Sequence, residues 1–200
     1  KEMFQRIAMP GESLGSLREE LAEEFGFNMD VVLPCTHHTG SAILAVPAND
    51  DDYVFISSGT WSLLGVERDT PDCSELSRIN SFTNEGGYDS KICYLRNIMG
   101  LWMIQSVRKE LVPDMSFAEI CELAAREGDF PSRVDVTDNC FMAPENMMEE
   151  IKDYCRRTGQ KVPETLGEIA TCVYASLAEC YDRTIKGIEK STGRTYSRIH

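Results

Sequence analysis

The chain reads as a mixed α/β (α+β) domain, and three observations carry that reading. Strand-type segments rich in apolar and β-branched residues, with turn residues between them, crowd residues 53–95. Capped segments of helical period fill residues 97–190. The 200 residues, 42% of them apolar, are enough to bury one sizeable core. Strands grouped ahead of helices fit α+β or α/β, and the pattern alone goes no further. No internal repeat is visible.

Ser16 followed by Glu19, ahead of Leu21 and Phe25, predicts a short capped amphipathic helix closed by Gly26. Val31-Val32-Leu33 predicts a brief strand, Thr39 to Val46 a small, buried helix, and Asn49-Asp50-Asp51-Asp52 a solvated turn. From Tyr53 to Glu67 two apolar runs flank Ser58-Gly59-Thr60, the pattern of a hairpin or a strand-loop-strand. A second strand pair is expected from Ser81 to Leu95 around Glu85-Gly86-Gly87. After Asn97 the period becomes helical, with Leu101, Ile104, Val107 and Leu111 three and four residues apart and Pro113 as the stop. Ser116 with Glu119, Asn146 with Glu149 and Thr165 with Glu168 mark three further helix starts. The last opens the longest helix, through Ile169, Val173, Leu177 and Ile188.

A net charge of −13, with no offsetting run of Lys or Arg, repels phosphate backbones, so no nucleic-acid partner is expected. A nucleotide site remains compatible, because a few local donors suffice. No segment approaches the ~20 apolar residues of a membrane helix, and Lys1-Glu2-Met3-Phe4 lacks a signal-peptide core. No membrane partner and a cytoplasmic location are the resulting expectations. The eight cysteines, Cys35, Cys73, Cys93, Cys121, Cys140, Cys155, Cys172 and Cys180, form no CxxC pair and read as scattered, mostly buried thiols. The Met-rich stretch Phe141 to Met148 reads as adaptable core packing.

Chemistry concentrates in two segments. Val54-Phe55-Ile56-Ser57-Ser58-Gly59-Thr60-Trp61-Ser62 is an apolar run that breaks into hydroxyls around a glycine. It reads either as a polar turn between strands or as a phosphate cradle, in which Gly59 permits close anionic approach and Thr60 supplies a hydroxyl. Trp61 reads as a core aromatic. Thr36-His37-His38-Thr39-Gly40-Ser41-Ala42 reads either as a polar strand end or as part of a site; zinc binding with Cys35 lacks a fourth ligand at suitable spacing, so no metal site is assigned. Asn97 is open between a helix-start residue and a ligand contact, and Gln105 between a buried amide and a ligand contact.

These two segments, with Asn84-Glu85-Gly86-Gly87-Tyr88-Asp89 and Tyr94-Leu95-Arg96-Asn97-Ile98-Met99-Gly100-Leu101-Trp102, resemble the FGGY-type carbohydrate kinases and, within them, the rhamnulokinases. Four signatures occur in family order along nearly the whole chain. The resemblance implies one lobe of an actin-like ATPase, or ribonuclease H-like, fold with helical insertions. Residues 1–38 would be the tail of the N-terminal lobe, and 39–200 the C-terminal, nucleotide-facing lobe, cut before a Gly-rich adenosine loop. It implies phosphoryl transfer from ATP, with Mg²⁺, to a ketose such as L-rhamnulose or L-fuculose. His37, His38, Thr39 and Asn97 would face the sugar, and Gly59, Thr60 and Gln105 the nucleotide. Cys155 and Cys172 match a pair bridged in some members. Where the family reads His-Asp-Thr, this chain reads His37-His38-Thr39. The resemblance thus puts His38 in the place of the carboxylate that takes the sugar proton, so weakened chemistry, or a catalytically silent sugar- or nucleotide-binding protein, is the alternative.

Overall fold

The computed structural model describes residue 3, residues 6–35 and residues 37–200; Thr36, part of the histidine segment above, lies outside the described residues. The chain starts with β1 (Ser13–Ser16), α1 (Glu19–Phe25) and β2 (Asp30–Val32), in which β1 and β2 pair antiparallel as a sheet of their own. Gly26 ends α1 in a left-handed conformation, φ 74°, as its position predicts. The expected cap at Ser16 does not form. Ser16 is taken into β1 opposite Asp30, and Arg18 stands at the start of α1 with no side-chain cap.

The main sheet comprises β3 (Tyr53–Ser58), β4 (Ser62–Arg68), β5 (Thr83–Gly86), β6 (Ile92–Ile98) and β7 (Arg198–Ile199), in the order β5-β6-β4-β3-β7. The first four are antiparallel neighbours, and β7 returns parallel to β3. The hairpin expected from Tyr53 to Glu67 is present. The turn of the second pair falls at residues 87–91 instead of on Glu85-Gly86-Gly87, because β5 runs on to Gly86 and pairs it with Ile92. Asn97 lies inside β6, opposite Leu63, and does not start a helix.

Period-2 alternation gives this sheet two distinct faces. Phe55, Cys93 and Leu95 project to one side and pack with Ile43 of α2 (His38–Leu44) in a small cluster. Of α2 only Thr39 and Ile43 are buried, so this helix lies on the sheet rather than inside a core. Val54, Leu64, Val66, Tyr94 and Ile98 project to the other side, into the main core. That core is closed by α4 (Trp102–Leu111), α5 (Phe117–Glu127), α6 (Met147–Arg157) and the 27-residue α7 (Leu166–Thr192). The short α3 (Glu75–Ile79) bridges β4 and β5.

The last three helices begin where the sequence places them. Both Ser116 with Glu119 and Thr165 with Glu168 form complete capping boxes, and the Asn146 side chain accepts the Glu149 N–H. The Glu110 carboxylate adds to the start of α6 by accepting the Met147 and Met148 amides at 2.8 and 3.1 Å, tying α4 to α6. The α7 helix lies closest to α5: the Thr171 hydroxyl donates to the Ala124 carbonyl at 3.0 Å, and Gly167 faces Leu123 and Glu127 with no room for a side chain. In the Met-rich stretch Phe141 and Met147 are fully buried, whereas Met142 is exposed. No helix among the described residues is long and apolar enough to cross a membrane.

Gly65, in the middle of β4, has a Cβ position that coincides with the Tyr94 carbonyl and the Leu95 side chain of β6. Gly65→Ala is therefore expected to push β4 and β6 apart at the centre of the sheet and to cost ~1–3 kcal/mol, the range for overpacking a tight interior. Chemical denaturation of the two forms measures this as a lower midpoint at unchanged slope.

Candidate functional site

The β3–β4 hairpin ends in the loop Gly59-Thr60-Trp61, and the chain that leaves β6 comes back to hold it. The Leu101 N–H donates to the Gly59 carbonyl at 3.0 Å, and the Trp102 N–H to the Thr60 carbonyl at 3.1 Å. Two orphan amides at the start of α4 are thereby satisfied, and two loop carbonyls are turned away from the loop's open side. The approach is possible because residue 100 is glycine. A Cβ there would collide with the Ser62 hydroxyl, lie 2.7 Å from the Ser62 nitrogen and 3.0 Å from the Gly59 carbonyl oxygen. The exposed Thr60 hydroxyl donates to the Gln105 side-chain oxygen at 3.1 Å, one turn into α4.

Above this loop a cavity of about 600 Å³ opens on the α2 face of the sheet. Its floor is one row of the antiparallel ladder, Ser57 opposite Leu63 opposite Asn97. Ser58, Gly59, Thr60 and Trp61 form one end, Glu85 of β5 lies on the wall, and His37 and His38 close it from the start of α2. The two imidazoles are neighbours, with ring centroids 4.9 Å apart, and neither caps the helix through its side chain.

His37, His38, Gly59, Thr60 and Asn97 are thus gathered around one space from three separate chain segments. Gln105 adjoins it through Thr60 and lines a neighbouring cavity of about 440 Å³ with Trp102 and Lys109. Thr39 is not among the lining residues. It is 1% exposed, with its hydroxyl turned inward and unpaired among the described residues. Trp61 departs from the expected core role: it is 47% exposed and lines the cavity, because the row of β4 residues that enters the core begins at Ser62.

The sequence gives no hint of Glu85 as a lining residue, since Glu85-Gly86-Gly87 reads as a turn. It is placed by register: Glu85 pairs with Cys93, and Cys93 is on the same face of β6 as Leu95 and Asn97. Burial pushes the Cys93 thiol up to about 11, and the negative charges of Glu67 and Glu85 on either side add to it. This side of the sheet therefore carries carboxylates, while the loop end offers hydroxyls and backbone.

Cys155 and Cys172 lie apart from this site, in the main core, as free and fully buried thiols that face one another. Burial holds both thiols up, Cys172 to about 12, so neither forms a thiolate near neutral pH.

Residues 54–200 match the family model described as the FGGY family of carbohydrate kinases, C-terminal domain. Among curated proteins, the chain is 48% identical to the rhamnulokinase of Halalkalibacterium halodurans, over 100% of this chain and 42% of that protein. It is 40% identical to the rhamnulokinase of Bacillus subtilis, over 100% of this chain and 41% of that protein. The chain thus spans about two fifths of the length of these curated relatives. Among solved structures, the xylulose kinase from Rhodospirillum rubrum matches with a TM-score of 0.61 at 14% identity, over 96% of this chain and 38% of that one. The ligand-bound xylulose kinase from Lactobacillus acidophilus matches with a TM-score of 0.57 at 15% identity, over 100% of this chain and 40% of that one. These two likenesses establish the mixed α/β fold. With the cavity loop and every element from β4 onward inside the matched residues, the chain belongs to the FGGY family of carbohydrate kinases.

Proposed function

We propose that this chain is the nucleotide-facing lobe of an ATP-dependent ketose kinase, with residues 1–38 as the tail of a second lobe. The whole protein, in this reading, transfers the γ-phosphoryl group of Mg²⁺-ATP to L-rhamnulose, giving L-rhamnulose 1-phosphate. The observation that carries the reading is the single cavity that joins the Ser57-Ser58-Gly59-Thr60 end to the paired imidazoles and Asn97. The two rhamnulokinases that match across the whole chain point to the sugar.

The residues divide by chemistry. Thr60 holds the terminal phosphates, with the Gly59 turn beside it, its N–H closed on the Trp61 carbonyl, and the Gln105 amide behind it; His37, His38 and Asn97 hold the sugar. The donors at the loop end are oxygens, the hydroxyls of Ser57 and Thr60, which suit a hard cation already carried by phosphate. Bound there, Mg²⁺ would neutralise charge on the transferring group. The sugar oxygen forms the new bond to the γ-phosphorus as the bond to the β-phosphate oxygen breaks, and the sugar proton passes to the imidazole of His38. A carboxylate becomes neutral on taking that proton. A neutral imidazole instead becomes a cation, and its ring nitrogens stand farther from the backbone than an aspartate's oxygens, so transfer is slower than a carboxylate would allow.

The reading is tested by a coupled ADP-release assay on the full-length protein with L-rhamnulose and, in parallel, L-fuculose. Sugar-dependent release with L-rhamnulose is expected. Release with L-fuculose alone would reassign the sugar, and binding of ATP or sugar without any release would make the protein a silent binder, the outcome to which His38 lends weight.

Two substitutions assign the roles. Thr60→Val keeps volume at an exposed position and removes the hydroxyl; ATP use is expected to fall by about 10- to 100-fold in kcat/KM, the loss of one hydrogen bond to a charged group, with sugar affinity unchanged. His38→Asp restores a carboxylate at the proton-accepting position. Its kcat is expected to rise by ~10-fold or more, part of the usual ~10²–10⁴-fold general-base contribution, with little change in the sugar KM. Equal kcat values for the parent and His38→Asp across the pH range would remove position 38 from the proton transfer.

A further inference from the structure

The β3–β4 loop is held by two helices, α4 and α7. The cavity lies on one face of the sheet, and the start of α4 takes the Gly59 and Thr60 carbonyls. On the opposite face of the sheet the next row of the ladder is Ser58 opposite Ser62 opposite Ile98. Ser62 is fully buried, and its hydroxyl is 2.6 Å from the hydroxyl of Tyr181, 119 residues later in the middle of α7. Ser58 and Ser62 are the two residues that flank the loop, so a restraint on their row fixes the base from which Gly59, Thr60 and Trp61 rise.

Burial pushes the Tyr181 phenol up, against an opposing pull from the Ser62 and Ser58 hydroxyls, so it stays a neutral hydroxyl through neutral pH. The bond is therefore a short contact between two neutral hydroxyls, one of them sealed from water, and it links the sheet to the longest helix of the molecule. Tyr181 does not line the cavity. Gly100 packs against the same Ser62, so the α4 clamp and the α7 clamp meet on one residue.

We propose that Tyr181 is a positioning residue for nucleotide use: through Ser62 it fixes the base of the loop, whose turn the Gly59 N–H closes on the Trp61 carbonyl, so that Thr60 is in place for the terminal phosphates before the nucleotide arrives. The proposal rests on the assignment of this loop to the nucleotide. Preorganisation of this kind is read in affinity for the group the loop holds, because a loop that must be ordered on binding loses that cost from the binding energy. The sugar side of the cavity, built on His37, His38 and Asn97, does not depend on it.

The test compares Tyr181→Phe, Ser62→Ala and their double substitution with Thr60→Val in the full-length protein, using steady-state kinetics with ATP and sugar varied separately. Tyr181→Phe keeps the ring in the core and removes one oxygen. A rise of about three- to tenfold in the ATP KM is expected, with the sugar KM and kcat at saturating ATP nearly unchanged. Ser62→Ala should give the same selective rise, and the double substitution no more than either single one, since both remove the same bond. A general loss of fold would lower kcat in proportion to the active fraction without raising the ATP KM. That pattern, or an unchanged ATP KM in Tyr181→Phe alongside impaired Thr60→Val, overturns the positioning role. Unchanged ATP kinetics in Thr60→Val would instead overturn the assignment of the loop itself.

Discussion

The approach of Gly100 to Ser62, with a separation that admits no side chain, is the contact around which the site is assembled. It brings the start of α4 against the β3–β4 loop closely enough for the Leu101 and Trp102 amides to reach the Gly59 and Thr60 carbonyls. Gln105 then falls beside Thr60, because one turn of α4 separates it from Leu101. Ser62, in the middle of the row Ser58, Ser62 and Ile98, meets both this contact and Tyr181 of α7. A loop of three residues is rarely so restrained by its own chemistry; here the restraint comes from segments 40 and 120 positions away.

The sheet divides the molecule by alternation. Each strand sends one residue to the helical core and the next to the α2 face. Along β6 the residues Tyr94 and Ile98 enter the core while Cys93, Leu95 and Asn97 do not. A one-residue slip in any of β3, β4 or β6 would exchange the two sets and dissolve the cavity floor. The large helical core therefore serves the small site by locking register. Tyr94, fully buried with its hydroxyl 2.7 Å from that of Ser77, shows how tightly the core side is specified.

The two faces differ in chemical character for the same reason. Helices α4 to α7 cover one face and exclude water from it; the buried hydroxyls of Ser62, Ser77, Ser176 and Thr184 each have a partner there, while that of Ser191 near the end of α7 has none among the described residues. Among the described residues the other face is covered by the short α2, which leaves hydroxyls, an amide, a carboxylate and two imidazoles around an open space. Polar side chains are affordable there because water or a ligand completes their hydrogen bonds.

Helix starts and the first hairpin were legible because their signals are local. A Ser or Thr three residues before a Glu satisfies amides within one turn, and apolar runs broken by Ser-Gly-Thr fold back on themselves. The same locality explains the misses. Ser16 was claimed by a strand partner at Asp30, Asn97 by the ladder opposite Leu63, and Trp61 fell outside the core because of the phase of β4. The histidines, the Ser-Ser-Gly-Thr loop, Asn97 and Gln105 were open between structural and ligand-facing readings by residue type and were singled out through the family resemblance, whereas Glu85 and Tyr181 were not singled out at all. The sequence by itself determined the first hairpin, the starts of the last three helices, and which short motifs carry oxygens and imidazoles. Tertiary structure alone decided that these motifs share one cavity, that Thr39 is buried away from it, and that Tyr181 stands under its loop. Strand register and helix packing join residues far apart in the chain, and no local pattern records that pairing.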